Sequence, residues 1–427
     1  MLRKYIFPLL SACFCLLMLA SSAGAQTATP PPQCTPNPCA APVQPAQPPP
    51  PPRLDIYGFV MTDFGFDFRN NDPQWFDVLR PSKLPSFRNE FGFDNKTYAG
   101  VRQSRFGVKY EEPTPLGTLR TQFEFDMFGV GSFAGETTIR PRHYYAEIGK
   151  FGAGQTNSPF MDIDVFPNIL DYWGPNGMVF FRNVQVRYMP IQGDTHLWFA
   201  VERPGSSQDA GILSNRIEIQ NLKGRFPAPD VSGQFRYGGK KWGYVQVAGI
   251  FRETKLDDLL PNDPLHLSDT VYGWGANVSS NLKFGGDVLR LQYVWGEGIE
   301  NYMNDAPIDI AARPNPGHPL QPIRGKALPL QSLVAYLDHS WSKKWQSSLG
   351  YSQMAIENTV LQNANDFHRG QYATANLLYT PTEHMLWGGE VQWARRTNFA
   401  DGFHANDYRI QFGFKYNFGA TVFGGIQ

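Results

Sequence analysis

The chain of 427 residues is poor in charge, in cysteine and in charge imbalance. Only 18% of its residues are charged, and 38 Lys and Arg face 38 Asp and Glu. No basic surplus therefore points to nucleic acid. Four cysteines are too few for a disulfide scaffold, and Cys13 and Cys15 lie in an apolar start, leaving Cys34 and Cys39. The intervening Thr-Pro-Asn-Pro lacks the Cys-x-x-Cys spacing of a redox or zinc centre. A local Cys34–Cys39 bridge and two idle thiols both stay open. After that start, no apolar run reaches the roughly 18 residues of a membrane-spanning helix. With 8 histidines and no cluster of ligand types, neither a metal nor a cofactor is expected. What the chain has in plenty is 32 Phe, 19 Tyr, 10 Trp and 41 Gly, which suits half-buried strands better than helices.

Residues 1–25 form a leader. Arg3 and Lys4 precede an apolar run, and Ala23-Gly24-Ala25 supplies the small residues of a cleavage site before Gln26. Export follows, and the mature charge becomes −2, because 36 basic residues then face 38 acidic ones. Residues 26–53 hold twelve prolines, ending in Pro48–Pro52. Proline fixes φ and removes donors, so this segment reads as an extended spacer of about 3.1 Å per residue. It is either a periplasmic tether toward the cell wall or a disordered leader.

From Leu54 onward the pattern is alternation. Tyr408, Ile410, Phe412, Phe414, Tyr416 and Phe418 share one parity, with Arg409, Gln411, Gly413, Lys415 and Asn417 between them. Leu119, Phe123, Phe125 and Met127 likewise oppose Arg120, Gln122, Glu124 and Asp126, and Val231, Phe235 and Tyr237 oppose Ser232, Gln234 and Arg236. A soluble sandwich and a membrane barrel share this period, so spacing must decide. Short links such as EEPTPLG, NLKFGGD, SKK and TPTEH alternate with eight long ones, at 69–97, 129–138, 157–181, 204–230, 253–270, 297–330, 354–371 and 397–407. Short turns alternating with long loops mark an outer-membrane barrel, and eight long links imply sixteen antiparallel strands. The expected fold is an all-β transmembrane barrel over 54–418 in the outer membrane of a Gram-negative cell, with a tail at 419–427.

Two stretches carry a family likeness: YGFVMTDFGFDF followed by RQSRFGVKY, and the run from Arg140 to Tyr188 framed by AGQT and VQVRY. Together they resemble the DcaP-like outer-membrane porins. The resemblance implies a homotrimer of sixteen-stranded barrels that passes small anions such as dicarboxylates. The chain departs from the family in two places. Proline stands where members often carry a coiled-coil segment, and residues follow Phe418, where such chains usually end on an aromatic.

By analogy with trimeric porins, the third extracellular loop, after Gln155-Thr156, is expected to fold inward and narrow the pore. It carries Asp162, Asp164, Asp171, Tyr172 and Trp173. Parity places Arg105, Lys109, Arg120, Arg187, Arg236, Arg290 and Arg409 on the lumen, with Asp63, Glu124, Asp126, Glu147, Asp338 and Glu390. Arg102, Arg140, Arg142 and Arg182 fall on the lipid parity, where an arginine near the midplane costs roughly 2–4 kcal/mol. They must lie beyond the membrane or be flipped by a bulge, and a lumenal place is expected for Arg142 and Arg182. A barrel enzyme of phospholipase or protease type would need a Ser–His or Asp–His pair, yet His143, His196 and His339 have no obvious nucleophile. A closed structural or adhesive barrel is the third alternative. The expected reading is a non-enzymatic pore whose partners are lipid, its own copies and small anionic solutes.

Overall fold

The computed structural model describes residues 50–424. The signal segment, Cys34, Cys39 and most of the proline-rich leader lie outside the described residues. Sixteen antiparallel strands close into a barrel. In chain order they are β1 Arg53–Asp67, β2 Lys96–Gly100 continued by Arg105–Thr114, β3 Gly117–Phe128, β4 Thr137–Ile148, β5 Phe151–Asn157 and β6 Arg182–Ile191. Next come β7 His196–Glu202, β8 Leu222–Arg225 continued by Asp230–Gly239, β9 Gly243–Asp258, β10 Asp269–Phe284 and β11 Asp287–Glu297. The set ends with β12 Pro329–Ser340, β13 Trp345–Ile356, β14 Phe367–Thr382, β15 Met385–Asn398 and β16 His404–Phe423. Closure comes from β1 pairing with β16 over its whole length, Arg53 opposite Phe423 and Asp67 opposite Arg409. β16 thus runs past Phe418.

Short turns and long links alternate without exception. Two residues suffice at Gly285-Gly286, where Gly285 at φ +62° takes the left-handed conformation that such hairpins need. A few long links are shorter than their sequence pattern suggests, because β9 runs on to Asp258 and β8 begins at Leu222.

The wall is apolar outside and polar inside. In β16, Tyr408 and Phe412 are each 53% exposed, whereas Arg409 is 1% and Gln411 0% exposed. A water-soluble sandwich would bury the aromatics and expose the charges. An apolar outer face is the arrangement lipid requires. Part of the buried face is nevertheless apolar. Ile250, Val294, Leu330, Met354 and Ile356 pack there against Phe160, Met161 and Val179 of the β5–β6 link and Ile299, Tyr302 and Met303 of the β11–β12 link. Those links cover these positions, so they need not be polar to face water.

Candidate functional site

Two irregularities in pairing bring Arg102, Arg140 and Arg142 onto the buried face. Between β1 and β2, residues 60–62 oppose 101–104, so one residue is extra. Ser104 bridges the gap, its Oγ accepting from Met61 N at 3.1 Å and donating to Met61 O at 3.2 Å. Arg102 turns inward, 1% exposed, and donates to Asp77 Oδ1 at 2.5 Å and Gly129 O at 2.9 Å. Between β3 and β4, Glu124 pairs with His143 and Phe125 with Pro141, leaving Arg142 as the bulged residue. Parity flips there, and Arg142 is 5% exposed rather than set in lipid.

The bulge builds a cluster. Arg142 donates to Glu124 Oε1 at 2.6 Å and to Asp126 Oδ2 at 3.0 Å. Arg140 grips Asp126 through Nε at 3.0 Å and Nη2 at 2.7 Å. Both arginines also donate to Tyr172 Oη, each at 2.6 Å, which ties the β5–β6 link to this wall. Arg105 stands 3.7 Å from Glu124. Arg182 stacks its guanidinium 4.5 Å from the Phe180 ring, within electrostatic reach of Arg142, Arg140 and Arg105. Its Nε and Nη2 are buried with no partner among the described residues. Four guanidiniums thus share two carboxylates, an arrangement with spare donors in a low-dielectric setting.

The rest of the β5–β6 link is pinned elsewhere. Asp162 accepts from Arg236 at 2.7 Å, Tyr244 at 2.8 Å and Ser279 at 2.6 Å, and Arg236 also reaches Asp164 at 2.5 Å. Arg290 binds Asp338 and the Asp164 carbonyl. Asp171 is buried, accepting from Tyr372 at 2.8 Å and Leu79 N at 3.3 Å, and burial pushes its carboxyl up to about 6. The amides of Leu170 and Asp171 donate to Glu390.

Of the wall cations chosen by parity, Arg105 joins Arg142 and Arg182 from the lipid-parity set, and Arg236 and Arg290 meet the link. Arg409 is sealed against Asp67 at 2.5 Å and the Phe76 carbonyl at 2.9 Å. Arg187 is held by Gln185 and the Asn157 carbonyl. Arg120, half exposed near the short-turn end, bridges Glu111 and Glu147, while the Lys109 ammonium lies 5.2 Å from the Tyr57 ring. A cavity of about 420 Å³ lies among Lys109, Arg120, His143, Arg187, Trp198 and Arg236.

Arg80 was not legible from sequence. It lies in the β1–β2 link, 4.0 Å from the Trp75 ring and 4.7 Å from the Trp173 ring, and donates to Asp305 at 2.8 Å. Links with no periodicity give no signal for such a residue. Arg252 joins Asp230 and Asp309 in a second unforeseen network.

The family model for the DcaP outer membrane protein matches residues 53–418. The chain belongs to the DcaP outer membrane protein family. Solved structures agree on the fold. The outer membrane channel DcaP of Acinetobacter baumannii superposes with a TM-score of 0.69 at 20% identity, over 86% of this chain and 97% of that one. An anion-selective porin from Comamonas acidovorans gives 0.53 at 11% identity, over 86% and 99%, and Salmonella typhi OmpF in complex with daunomycin gives 0.51 at 12%, over 86% and 97%. No curated protein matches the sequence. The DcaP-family barrel is therefore an outer-membrane channel of the porin type, which places the chain in the Gram-negative outer membrane.

Proposed function

We propose that the protein is a passive diffusion channel for small hydrophilic solutes that favours anions, small dicarboxylates among them, and that it works as a homotrimer without catalysis. The observation that carries this reading is the cationic excess where Arg105, Arg140, Arg142 and Arg182 meet Glu124 and Asp126, with Arg182 unpartnered. Between low-dielectric walls a fixed spare cation attracts anions and repels cations far more strongly than it would in water. Arginine suits carboxylates because its planar fork offers paired donors and stays charged. The β5–β6 link is the constriction in this reading. Tyr172 carries it to the cationic wall, and Asp162 and Asp164 are neutralised by Arg236 on the other side.

Reversal potentials in a salt gradient test the reading, with mono- and dicarboxylates added as blockers. The expected result is anion preference that falls in Arg182→Gln and Arg105→Gln while conductance persists. Cation preference in the wild-type channel, with no carboxylate block, refutes the selectivity and leaves the pore. Cross-linking in native membranes tests the trimer. Cleavage after Ala25 makes Gln26 the first mature residue, which N-terminal sequencing reads.

A further inference from the structure

Away from the cationic cluster, the long-link end of the barrel holds an apolar cavity of about 220 Å³. Ile219, Leu222, Leu256 and Leu267 form its floor, and Ile310 and Ile323 line it from the roof. Leu256 and Ile310 belong to a buried apolar cluster with Val271 and Ala327. The roof is a ribbon in which Ile310–Pro314 pairs antiparallel with Ile323–Ala327 and parallel with Gln208–Asp209. The ribbon backbone lies directly on the floor, because a Cβ at Gly325 would stand 2.7 Å from Val271 Cγ2 and 2.9 Å from Leu256 Cδ1. An aliphatic cavity of about 150 Å³ takes up benzene, so this one has room for a ring with a short substituent.

The rim decides the charge of the occupant. Asp209 has both oxygens engaged, by Gly211 N at 2.8 Å and Gln362 Nε2 at 3.1 Å. Asp269 is likewise filled, by Thr270 N, Gly325 N and the Nε and Nη2 of Arg324. Arg324 gives only those two nitrogens, and with a side chain 39% exposed it keeps Nη1 for something outside the protein. Both acids have their oxygens filled, and Arg324 has a charged N–H to spare, so a carboxylate head finds a donor at the rim.

We infer that this cavity is a binding site for apolar monocarboxylates, with the hydrocarbon body of the ligand between Leu256 and Ile310 and its carboxylate on Arg324. The site lies apart from the permeation cluster and stands whether or not the channel prefers anions.

The test is equilibrium dialysis of labelled 3-phenylpropionate against the full-length protein in nanodiscs, with empty nanodiscs as the blank. Retention above the blank is expected. Ala312→Phe and Ala210→Phe, which fill the cavity from two different elements, abolish it. Arg324→Gln weakens it about tenfold or more, the loss of one charge-assisted hydrogen bond. The neutral 3-phenylpropanol binds more weakly than the acid to the wild type and equally well to Arg324→Gln. Unchanged conductance confirms that each variant has assembled. No retention above the blank, or retention unaffected by both filling substitutions, overturns the site. Equal binding of acid and alcohol to the wild type overturns the role of Arg324.

Discussion

Arg80 joins three long links, and its removal should loosen them without unfolding the barrel. Its guanidinium sits between the Trp75 and Trp173 rings and bonds Asp305, whose side chain is fully buried. Arg80→Ala strands that carboxylate with only Ser82, whose N and Oγ donate at 2.8 and 2.6 Å. Breaking a buried pair by removing one partner costs about 3–5 kcal/mol, because the remaining charge is left without compensation. The cost falls on the local opening of the links, since no strand pairing involves Arg80. At ~1.4 kcal/mol per tenfold, the open population rises roughly a hundredfold to a few thousandfold. Native-state hydrogen exchange measures this directly. Amides that close the links onto one another, Asn304 N to Met178 O and Phe180 N to Tyr302 O, lose protection by that factor, while β1 and β16 keep theirs. Arg80→Lys retains the charge without the planar fork and falls between. The double variant Arg80→Ala/Asp305→Ala recovers part of the loss, because no carboxylate is left stranded. Protection in the links that changes less than about tenfold, or falls equally in every strand, would refute the reasoning.

Further tests address the wall and the anchor. Phe412→Arg places a charge on the exposed face near the middle of β16, where lipid makes it cost roughly 2–4 kcal/mol, and reversible folding into vesicles measures the loss; a loss below ~0.5 kcal/mol would mean that this face meets water. Asp171 binds a proton in the folded state up to about 6, whereas the unfolded carboxyl releases it near ~3.9. Stability of the anchored link therefore falls as pH rises through that window, because the folded state holds the extra proton. Exchange at residues 170–173, corrected for intrinsic rate, should be faster at neutral pH than in mild acid, and Asp171→Asn should flatten the difference; a flat wild-type profile contradicts the burial argument.

The parts of the structure readable from the sequence are those that an isotropic solvent dictates. Lipid acts on every outward residue alike, so it imposes a period of two on β16 and on its neighbours, and the strand count follows from the links between those periods. The same rule made Arg142 informative. An arginine at a lipid-facing position is a contradiction, and the bulge between Glu124 and Phe125 resolves it. Arg102 is resolved in the same way by the extra residue opposite β1. Inside the barrel no common solvent acts, and each position answers to one particular partner. Val294 continues an apolar run beside Tyr293 and Trp295, yet it is buried against the links while they face outward at 45% exposure. Arg80 and Asp305 meet across 225 residues of chain, and neither segment has a period that would pair them. A cationic site could be expected from the arginines on the strands, but which of them keeps a spare donor depends on those unperiodic contacts. Parity sets Arg409 on the lumen and Arg182 on the lipid side, which says nothing of their partners. Asp67 pairs with the first, which keeps only its Nη1 free, while the second is left with Phe180. Selectivity in such a barrel therefore rests on the accidents of link packing, while its existence as a barrel rests on the lipid rule.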